Sequence, residues 1–477
     1  MIRRGRNEGW LKEPIDVLPK WAVFHGVKFN SIRIGPLPGF EERGSTVIAD
    51  QELVGGKVEV LLRVPKDLII SRANIDLFAK SDRHLREVLA ALGEFGRTTR
   101  GAILIFLLMQ ATHCCSDIDK DIGVLNPLTE YIKFLPDELL PTFWTEEEQE
   151  MLDGTTLRPA IRAKLNSLLR EFESLRSATE SIDWCAKYWW HEDNGMLTFE
   201  DWMLVDAMYR SRALEFPGVG DCMVPCVDMA NHASGDATGA LYETDEDGNG
   251  LLLLWDNKTI SDGGEVTITY GDDKGACENI FSYGFLEDNM TSAKVMFLHL
   301  DIPDDDPLRP AKIFVSVAAP GFRMFDKADS VDWESDFIWL VVVNEEDGLD
   351  FKIRQTTDGK REIQAFWKER ELNDTTNLRQ YLEEDPAWDV FQLRATVLLQ
   401  NRLEAQIEVA QAAQEVLPDA SVRDVPRRLA ERLRSLELDM LQRASSAFEY
   451  QKSKLLESPV VLQYLGIVGG YAEEDFS

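Results

Sequence analysis

The residues with the most chemical potential lie in the stretch VPCVDMANHASG, residues 224–235. It places Asp228, Asn231 and His232 within five positions, directly after a short apolar run. An aspartate beside a histidine suits metal ligation or general acid–base catalysis. A turn that holds a hydrogen-bonded histidine has the same composition, so the neighbouring segments decide between these hypotheses.

Two metal patterns are present only in part. Cys222 and Cys226 lie near His232, but two thiols and one histidine fall short of a closed tetrahedral zinc site. Residues 245–250 match the opening of a calcium loop, yet its twelfth position is Asp256 instead of glutamate, and strand-like residues flank it. The sequence therefore predicts no metal and, at residues 245–250, the turn of a β-hairpin.

Two tyrosines follow downstream. Val266, Ile268 and Tyr270 alternate onto one face of a predicted strand, and Tyr283 comes thirteen residues after Tyr270. Upstream, the segment Tyr-Arg-Ser-Arg-Ala, residues 209–213, falls at the end of a predicted helix. Taken singly, each tyrosine is more typical of a half-buried core position than of a catalyst.

Composition excludes several classes of partner. The 477-residue chain has a formal net charge of −33, whereas nucleic-acid binders need lysines and arginines that displace phosphate counterions. A protein partner with a basic segment is the better match. The most apolar stretch, Ala102–Met109, is too short to span a bilayer and predicts a buried helix or strand. Six scattered cysteines indicate a reducing compartment, the cytoplasm or the nucleus.

The residue composition and the predicted secondary structure change along the chain. Residues 20–72 are rich in glycine and short alternating runs, and Val58, Val60, Leu62 and Val64 are predicted to share one face of a strand. Helical patterns follow over residues 75–210, and strand patterns return over residues 219–285. The chain after residue 293 passes through acidic, proline-containing linkers and then becomes strongly helical.

Two amphipathic helices are predicted in this last part. Leucine and methionine recur at helical spacing at Leu429, Leu433, Leu436 and Met440. An earlier apolar series is formed by Val390, Leu393, Val397, Leu403 and Ile407. These two helices are expected to pack together, and the final residues from Ala472 to Ser477 are expected to fray.

The order of these segments resembles the C-terminal half of a SET-domain methyltransferase. The resemblance is carried by Arg-Ser-Arg, then Asp-Met-Ala-Asn-His, then a hairpin, then Ile-Thr-Tyr-Gly and Tyr-Gly-Phe. More narrowly, the sequence resembles the subfamily that contains the Rubisco large-subunit lysine methyltransferase and the actin-histidine methyltransferase. Residues 42–49, Glu-Arg-Gly-Ser-Thr-Val-Ile-Ala, resemble the first SET motif, although Thr46 replaces the second glycine of its Gly-x-Gly.

The resemblance covers about residues 20–460 and implies an α+β fold. A mostly-β SET core with a pseudoknot-like C-terminal half is interrupted by a helical insert and followed by a helical lobe. The implied parts are SET core at 18–112 and 204–292, helical insert at 113–203, substrate-binding lobe at 293–462 and tail at 463–477.

The resemblance also implies the cofactor, S-adenosylmethionine, and the residues that hold it. The implied contacts are Gly44, Ser45, Ser211, Arg212, Asp228, Asn231, His232 and Tyr270. Arg212 would lie beside the cofactor carboxylate, and Asp228 would brace the turn. The backbone of Asn231 and His232 would bind the adenine edge, and the Asn231 side chain the methionine end.

The resemblance further implies that Tyr270 is the catalytic tyrosine and that Tyr283 forms the other wall of the acceptor channel. The expected reaction is methyl transfer to a lysine of a non-histone protein, such as a ribosomal protein or a translation factor. Two alternatives stay open at this point. One is a histidine acceptor, and the other is a catalytically silent SET-like module that binds a partner.

Overall fold

The structure is a computed structural model that describes residues 1–39, 44–57, 60–136, 140–192, 195–327, 330–355, 361–372, 374–416 and 419–466. Glu42 and Arg43 of the first motif, Val58 of the predicted strand and the predicted frayed end lie outside these residues. By its internal contacts the chain forms two compact units. Unit 1 comprises residues 1–143, 161–272 and 281–287, and unit 2 comprises residues 144–160, 273–280 and 288–477.

The strands of unit 1 form four small antiparallel sheets. They are β1 (Lys28–Phe29), β2 (Ile32–Pro36), β3 (Ser45–Ala49), β4 (Leu53–Val54), β5 (Val60–Val64), β6 (Leu214–Phe216), β7 (Gly220–Cys222), β8 (Ala240–Thr244), β9 (Gly250–Leu254), β10 (Thr259–Ile260) and β11 (Glu265–Val266). The sheet orders are β1-β5-β9-β8, β11-β3-β2, β10-β4 and β6-β7. Three of these sheets pair strands from before residue 65 with strands from after residue 239, so one core joins the two predicted halves.

Two helices precede the first strand, and further helices fill most of the chain between the two groups of strands. The first eleven are α1 (Ile2–Glu8), α2 (Leu18–Phe24), α3 (Arg72–Ser81), α4 (Arg83–Ala91), α5 (Gly93–Arg97), α6 (Thr99–Cys114), α7 (Pro127–Tyr131), α8 (Glu146–Glu150), α9 (Leu157–Thr179), α10 (Asp183–Tyr188) and α11 (Phe199–Arg212). The predicted buried segment Ala102–Met109 lies within α6, where all its residues are buried. A helix that is apolar on every side belongs at the centre of a core.

The predicted strand is confirmed over residues 60–64, but its single-face pattern is wrong. The pairing of β5 with β9 shifts register between Val60 and Leu62. Leu61 and Leu62 are consequently both buried, while Val60 is only half-buried. A bulge adds one residue to a strand and breaks the alternation, which a strictly periodic pattern does not anticipate.

The predicted β-hairpin is confirmed by the pairing of β8 with β9. In its turn, one carboxylate oxygen of Asp245 accepts hydrogen bonds from the backbone N–H groups of Asp247 and Asn249, at 3.0 and 2.8 Å. Arg63 pairs with the same carboxylate at 2.8 Å. These bonds account for the aspartate and asparagine content that imitates a calcium loop.

Unit 2 contains strands that sequence periodicity did not predict. It includes α8, α12 (Ala276–Tyr283, shared with unit 1), α13 (Arg309–Val315), α14 (Phe337–Val342), α15 (Leu378–Glu383), α16 (Trp388–Gln414), α17 (Asp424–Leu456) and α18 (Pro459–Tyr464). Its strands are β12 (Val295–His299), β13 (Gly321–Lys327), β14 (Ser330–Glu334), β15 (Leu349–Gln355), β16 (Arg361–Trp367) and β17 (Arg370–Leu372). They form two antiparallel sheets, β12-β13-β14 and β15-β16-β17. The sequence of β15, LDFKIRQ, alternates apolar and polar residues, but the strand is exposed along most of its length, and the expectation of a helical lobe left this pattern unused.

The long helices α16 and α17 carry the two predicted apolar series. Leu433, Leu436 and Met440 are buried on α17, and Leu403 is buried on α16. Val397 is 36% exposed, so its inclusion in the packed face was wrong. Within the described residues, none of the helices is long and apolar enough to cross a membrane.

Candidate active site

The segment that follows β7 turns sharply and then runs beside the chain after β11. Residues Val227–Met229 form a single 3-10 turn, and Cys226 before it adopts a positive φ of 71°. Such a conformation is strained for a residue with a side chain and is typical of functional turns. The N–H of Ile268 donates to the carbonyl of Asn231, and the N–H of Ala233 donates to the carbonyl of Ile268, both at 3.0 Å.

This parallel bridge determines where the backbone of His232 points. Residues 231 and 233 supply the bonds to Ile268, so the N–H and C=O of His232 face away from that strand. Neither group makes a hydrogen bond to another described residue, although His232 is only 8% exposed. A nearly buried donor and acceptor side by side are a site for a ligand with the complementary pair.

The side chain of His232 connects the turn to Tyr270. Its Nδ1 accepts a hydrogen bond from the backbone N–H of Tyr270 at 3.0 Å. The neutral ring therefore carries its proton on Nε2, which lies 3.4 Å from a carboxylate oxygen of Glu287. The rings of His232 and Tyr270 also stack, with centroids 5.1 Å apart. His232 is thus held as a structural link between two segments of the site.

The two tyrosines lie against each other. The ring centroids of Tyr270 and Tyr283 are 4.6 Å apart, and Phe285 extends the aromatic wall at 6.2 Å from Tyr283. The hydroxyl of Tyr270 donates to the carbonyl of Ala230 at 2.7 Å. A hydroxyl that donates its proton presents oxygen lone pairs, so Tyr270 can accept a hydrogen bond from an incoming amine.

Glycines follow both tyrosines and allow the chain to turn. Gly271 has a φ of 126° and Gly284 a φ of 77°, conformations that favour glycine. Tyr283 ends α12, and Arg210 of α11 contacts that helix: its Nη1 donates to the carbonyl of Phe281 at 2.9 Å. The first arginine of Arg-Ser-Arg therefore positions the helix end that carries Tyr283.

Asp228 forms a buried cluster with Arg212 and Tyr131. The hydroxyl of Tyr131 donates to the carboxylate of Asp228, and Nη1 of Arg212 lies 3.7 Å from the same oxygen. Arg212 also donates to the backbone carbonyl of Asp228 at 2.7 Å. Burial raises the pKa of Asp228, an effect that the Arg212 guanidinium opposes. The cluster ties the turn to the ends of α7 and α11.

Asn231 is held by a residue of β11. Its Nδ2 donates to Oε1 of Glu265 at 2.8 Å, and the hydroxyl of Thr46 donates to the same oxygen at 2.7 Å. Thr46 is only 1% exposed and occupies the place of the second glycine in the first motif. The first motif and the Asn-His turn are therefore joined through one carboxylate.

The remaining predicted residues have weaker connections. Ser45 lies with Oγ 3.6 Å from the sulfur of Met229, which places the first motif beside the turn. Gly44 precedes it with a φ of 77°. Ser211 donates to the carbonyl of Ala207 in its own helix at 2.8 Å. The structure thus brings the predicted residues into one region of unit 1, and their roles at a cofactor stay predictions.

The cysteines near the turn do not form a metal cluster. Cys222 and Cys226 are both buried free thiols. Burial raises the pKa of Cys222 to about 12 and that of Cys226 well above its ordinary value. Over the part of the chain that the structure describes, no group of three or more potential metal ligands comes together.

Sequence reasoning missed four positioning residues: Thr46, Tyr131, Glu265 and Glu287. Tyr131 acts on Asp228 across 97 residues, and Thr46 acts on Glu265 across 219 residues. Glu265 offered one usable signal, because a charged residue opens an otherwise apolar and threonine-rich strand.

The fold is the SET fold, as in the solved structures of Rubisco LSMT. The crystal structure of the SET domain of LSMT bound to lysine and AdoHcy matches with a TM-score of 0.63, covering 96% of each chain at 19% identity. The structure of Rubisco LSMT bound to AdoMet matches with a TM-score of 0.64, covering 96% of this chain and 98% of that chain at 19% identity.

A relative in sequence agrees with the structural match. SET domain-containing protein 8 of Schizosaccharomyces pombe is 28% identical over 462 residues, which are 92% of this chain and 98% of the relative. No protein-family model matches the chain. The resemblance to SET-domain proteins of the LSMT-like kind is confirmed, and so is the expected α+β SET fold.

Proposed function

We propose that the protein transfers a methyl group from S-adenosylmethionine to a lysine side chain of a non-histone protein. The observation that carries this proposal is the contact of Tyr270 with Tyr283 directly beside the Asn-His turn, with 4.6 Å between ring centroids. The matched structures support it, since they include the SET domain of LSMT with lysine and AdoHcy and Rubisco LSMT with AdoMet.

The residues present fit this cofactor. The N–H and C=O of His232, which bond to no other described residue, complement the acceptor and donor edge of an adenine. The Oδ1 of Asn231, which accepts no hydrogen bond from the described residues, suits the ammonium group at the methionine end. Arg212 is the proposed partner of the carboxylate, since a guanidinium can bind it through two parallel hydrogen bonds. When bound, the cofactor supplies an electrophilic methyl group on a sulfonium sulfur.

The acceptor amine would be oriented by the tyrosines. The Tyr270 hydroxyl is fixed by its bond to the Ala230 carbonyl, so its oxygen can accept a hydrogen bond from an N–H of the amine. This bond would leave the nitrogen lone pair free to point at the methyl group. Tyr283 and Phe285 supply an apolar wall on the same side. This arrangement would align the amine nitrogen with the methyl carbon and the sulfur, which is the main requirement of an in-line displacement.

A lysine acceptor must lose its proton before it can attack. With an ordinary pKa near 10.4, only about one lysine in a thousand is neutral at pH 7.4, a cost of roughly 4 kcal/mol. An aromatic channel removes water from the ammonium and so lowers its pKa. The tyrosine pair thus contributes to both alignment and deprotonation.

The proposed substrate has a basic segment, because the net charge of −33 attracts such a partner. Ribosomal proteins and translation factors have this character, and they imply action in the cytoplasm, the nucleus or both.

The test is to incubate the full-length protein with radiolabelled S-adenosylmethionine and a cell extract, and to identify the labelled residue by mass spectrometry. Label on a lysine of a basic protein is the expected result. Label on a histidine would replace the lysine assignment by the histidine alternative. Measurable cofactor binding without any label would contradict the proposal and favour the silent partner-binding module.

A further inference from the structure

Thr46 departs from the pattern of the first motif, and its side chain has a definite partner. The threonine is 1% exposed on β3, and its hydroxyl donates to Oε1 of Glu265 at 2.7 Å. Glu265 lies on the neighbouring strand β11, which pairs with β3 through Glu265 and Ile48. The threonine side chain stands where a glycine has only a hydrogen atom, and its hydroxyl bonds to the neighbouring strand.

The same carboxylate oxygen sets the orientation of an amide. Asn231 donates to Oε1 of Glu265 through Nδ2 at 2.8 Å. A carboxylate only accepts hydrogen bonds, so the amide must turn its NH2 group towards Glu265. The carbonyl Oδ1 is then presented on the opposite side, where it accepts no hydrogen bond from the described residues.

We infer that Thr46 and Glu265 are positioning residues that hold Asn231 with Oδ1 directed at the ammonium group of the bound cofactor. The inference rests on the proposed function, because it concerns the same cofactor site. A reversed amide would direct its NH2 group at the ammonium, and two donors repel. The chain from Thr46 through Glu265 to Asn231 excludes that orientation.

Glu265 and Thr46 contribute to the orientation of Asn231 in different ways. Glu265 is half-buried, and the Thr46 hydroxyl adds a hydrogen bond that fixes the carboxylate oxygen to which the Asn231 amide donates. Thr46 is buried and β-branched, so its hydroxyl stays in place. The threonine therefore stabilises the productive orientation of Asn231, and its presence in place of glycine is compatible with an active site.

The test is calorimetric titration of the full-length protein with S-adenosylhomocysteine, which has the ammonium group, and with 5′-methylthioadenosine, which lacks it. Thr46→Val removes the hydroxyl and keeps the shape. We expect it to raise the Kd for S-adenosylhomocysteine about fivefold to tenfold, the value of one hydrogen bond, and to leave 5′-methylthioadenosine binding unchanged. Thr46→Ser keeps the hydroxyl and should bind within about twofold of the wild type.

Two further variants separate this role from general packing. Adding Thr46→Val to Asn231→Ala should cause no further loss, because both act through the same amide. Glu265→Ala, at a half-buried strand position, should reproduce the loss of Thr46→Val. Thr396→Val is the matched control: that threonine is also fully buried, and its hydroxyl donates only within its own helix, at 2.8 Å to the Gln392 carbonyl.

Failure of this inference can be distinguished from failure of the proposed function. If folded wild-type protein binds neither S-adenosylmethionine nor S-adenosylhomocysteine, the proposed function fails and takes this inference with it. If the wild type binds and Thr46→Val binds equally well, only the inference is overturned. An equal weakening of both ligands, or additive losses in the double variant, would also overturn it, since either points to packing.

Discussion

The imidazole of His232 accepts a hydrogen bond from the backbone N–H of Tyr270, with 3.0 Å between Nδ1 and N. The bond joins the proposed adenine-binding turn to the proposed catalytic tyrosine, which are 38 residues apart. The Tyr270 hydroxyl returns to the same turn at the Ala230 carbonyl. The tyrosine is therefore attached to the turn at both its backbone and its side chain, so a displacement of one segment is transmitted to the other.

Replacing His232 by alanine should weaken the cofactor site without removing any backbone group of the turn. The buried N–H of Tyr270 loses its acceptor, which costs about 1–3 kcal/mol and releases the turn. We expect the Kd for S-adenosylhomocysteine, measured by calorimetry, to rise about tenfold. His232→Asn places an amide oxygen near the former Nδ1 and should recover part of the affinity.

His84 offers a matched control for this substitution. It is similarly buried, and its Nδ1 accepts from the backbone N–H of Gly123 at 3.2 Å, away from the tyrosines. His84→Ala should lower the thermal unfolding temperature and leave the affinity of the folded protein unchanged. Equal losses of affinity in the two variants would contradict a specific role for His232.

Replacing Tyr270 by phenylalanine should separate chemistry from binding. The variant keeps the aromatic contact with Tyr283 but loses the hydroxyl that is held by Ala230. We expect methyl transfer to fall about 100-fold, as for the loss of one preorganised polar group, while the Kd for S-adenosylhomocysteine changes less than about threefold. Undiminished label transfer by Tyr270→Phe would remove it from the role of catalyst. Tyr283→Phe, which alters the other wall, should have the smaller effect.

Replacing Tyr131 by phenylalanine should destabilise unit 1 through Asp228. The buried carboxyl group of Asp228 loses a donor, at a cost of about 1–3 kcal/mol in the free energy of unfolding. Tyr188→Phe is the control, because Tyr188 also donates to an aspartate, but that residue, Asp119, is 67% exposed and can bond to water instead. Urea unfolding should show a clearly larger loss for Tyr131→Phe. Equal losses would show that burial of Asp228 contributes nothing to the bond.

The stability of unit 2 should depend on pH through Glu437. This residue is 1% exposed and accepts from the backbone N–H of Thr156 at 2.9 Å. Burial raises the pKa of Glu437 to about 7, whereas the unfolded chain has a value of about 4.3. Between these values only the folded state holds the proton, so stability is present at low pH and is lost as pH rises, by up to about 4 kcal/mol.

Urea unfolding at pH 5 and pH 8 checks this dependence. The wild type should lose stability between the two, and Glu437→Gln, which imitates the protonated form, should lose much less. Glu148 gives a control of opposite sign, because its bond with Arg423 lowers the pKa of that buried carboxyl. Glu148→Gln should therefore keep the loss between pH 5 and pH 8. An identical pH response of wild type and Glu437→Gln would refute the assignment.

Local patterns in the sequence predicted those elements that depend on neighbouring residues. The burial of Ala102–Met109 followed from its continuous apolar run, which left helix and strand both open, and the β8–β9 hairpin followed from the turn residues between two apolar strands. The C-terminal helices followed from leucine spacing. In each case the partners are close in the chain, so spacing alone carries the information.

Patterns failed where pairing with a distant segment decided the outcome. The bulge in β5 depends on its partner β9, and β15 is exposed along most of its length, so its pairing with β16 decides its structure. Val397 follows the helical spacing of its neighbours, but no side chain covers it fully. Spacing shows which residues share a face and does not show how much of that face is covered.

The sequence by itself determined the order of the chemical residues: the first motif, the arginine pair, the Asp-x-x-Asn-His turn and the two tyrosines. The tertiary structure alone decided how they are oriented. Thr46 reaches Asn231 only because β3 and β11 pair, and Tyr131 reaches Asp228 only because the end of α7 lies beside the turn. These contacts join segments that are far apart in the chain, and burial of a shared core, which no local pattern records, brings them together.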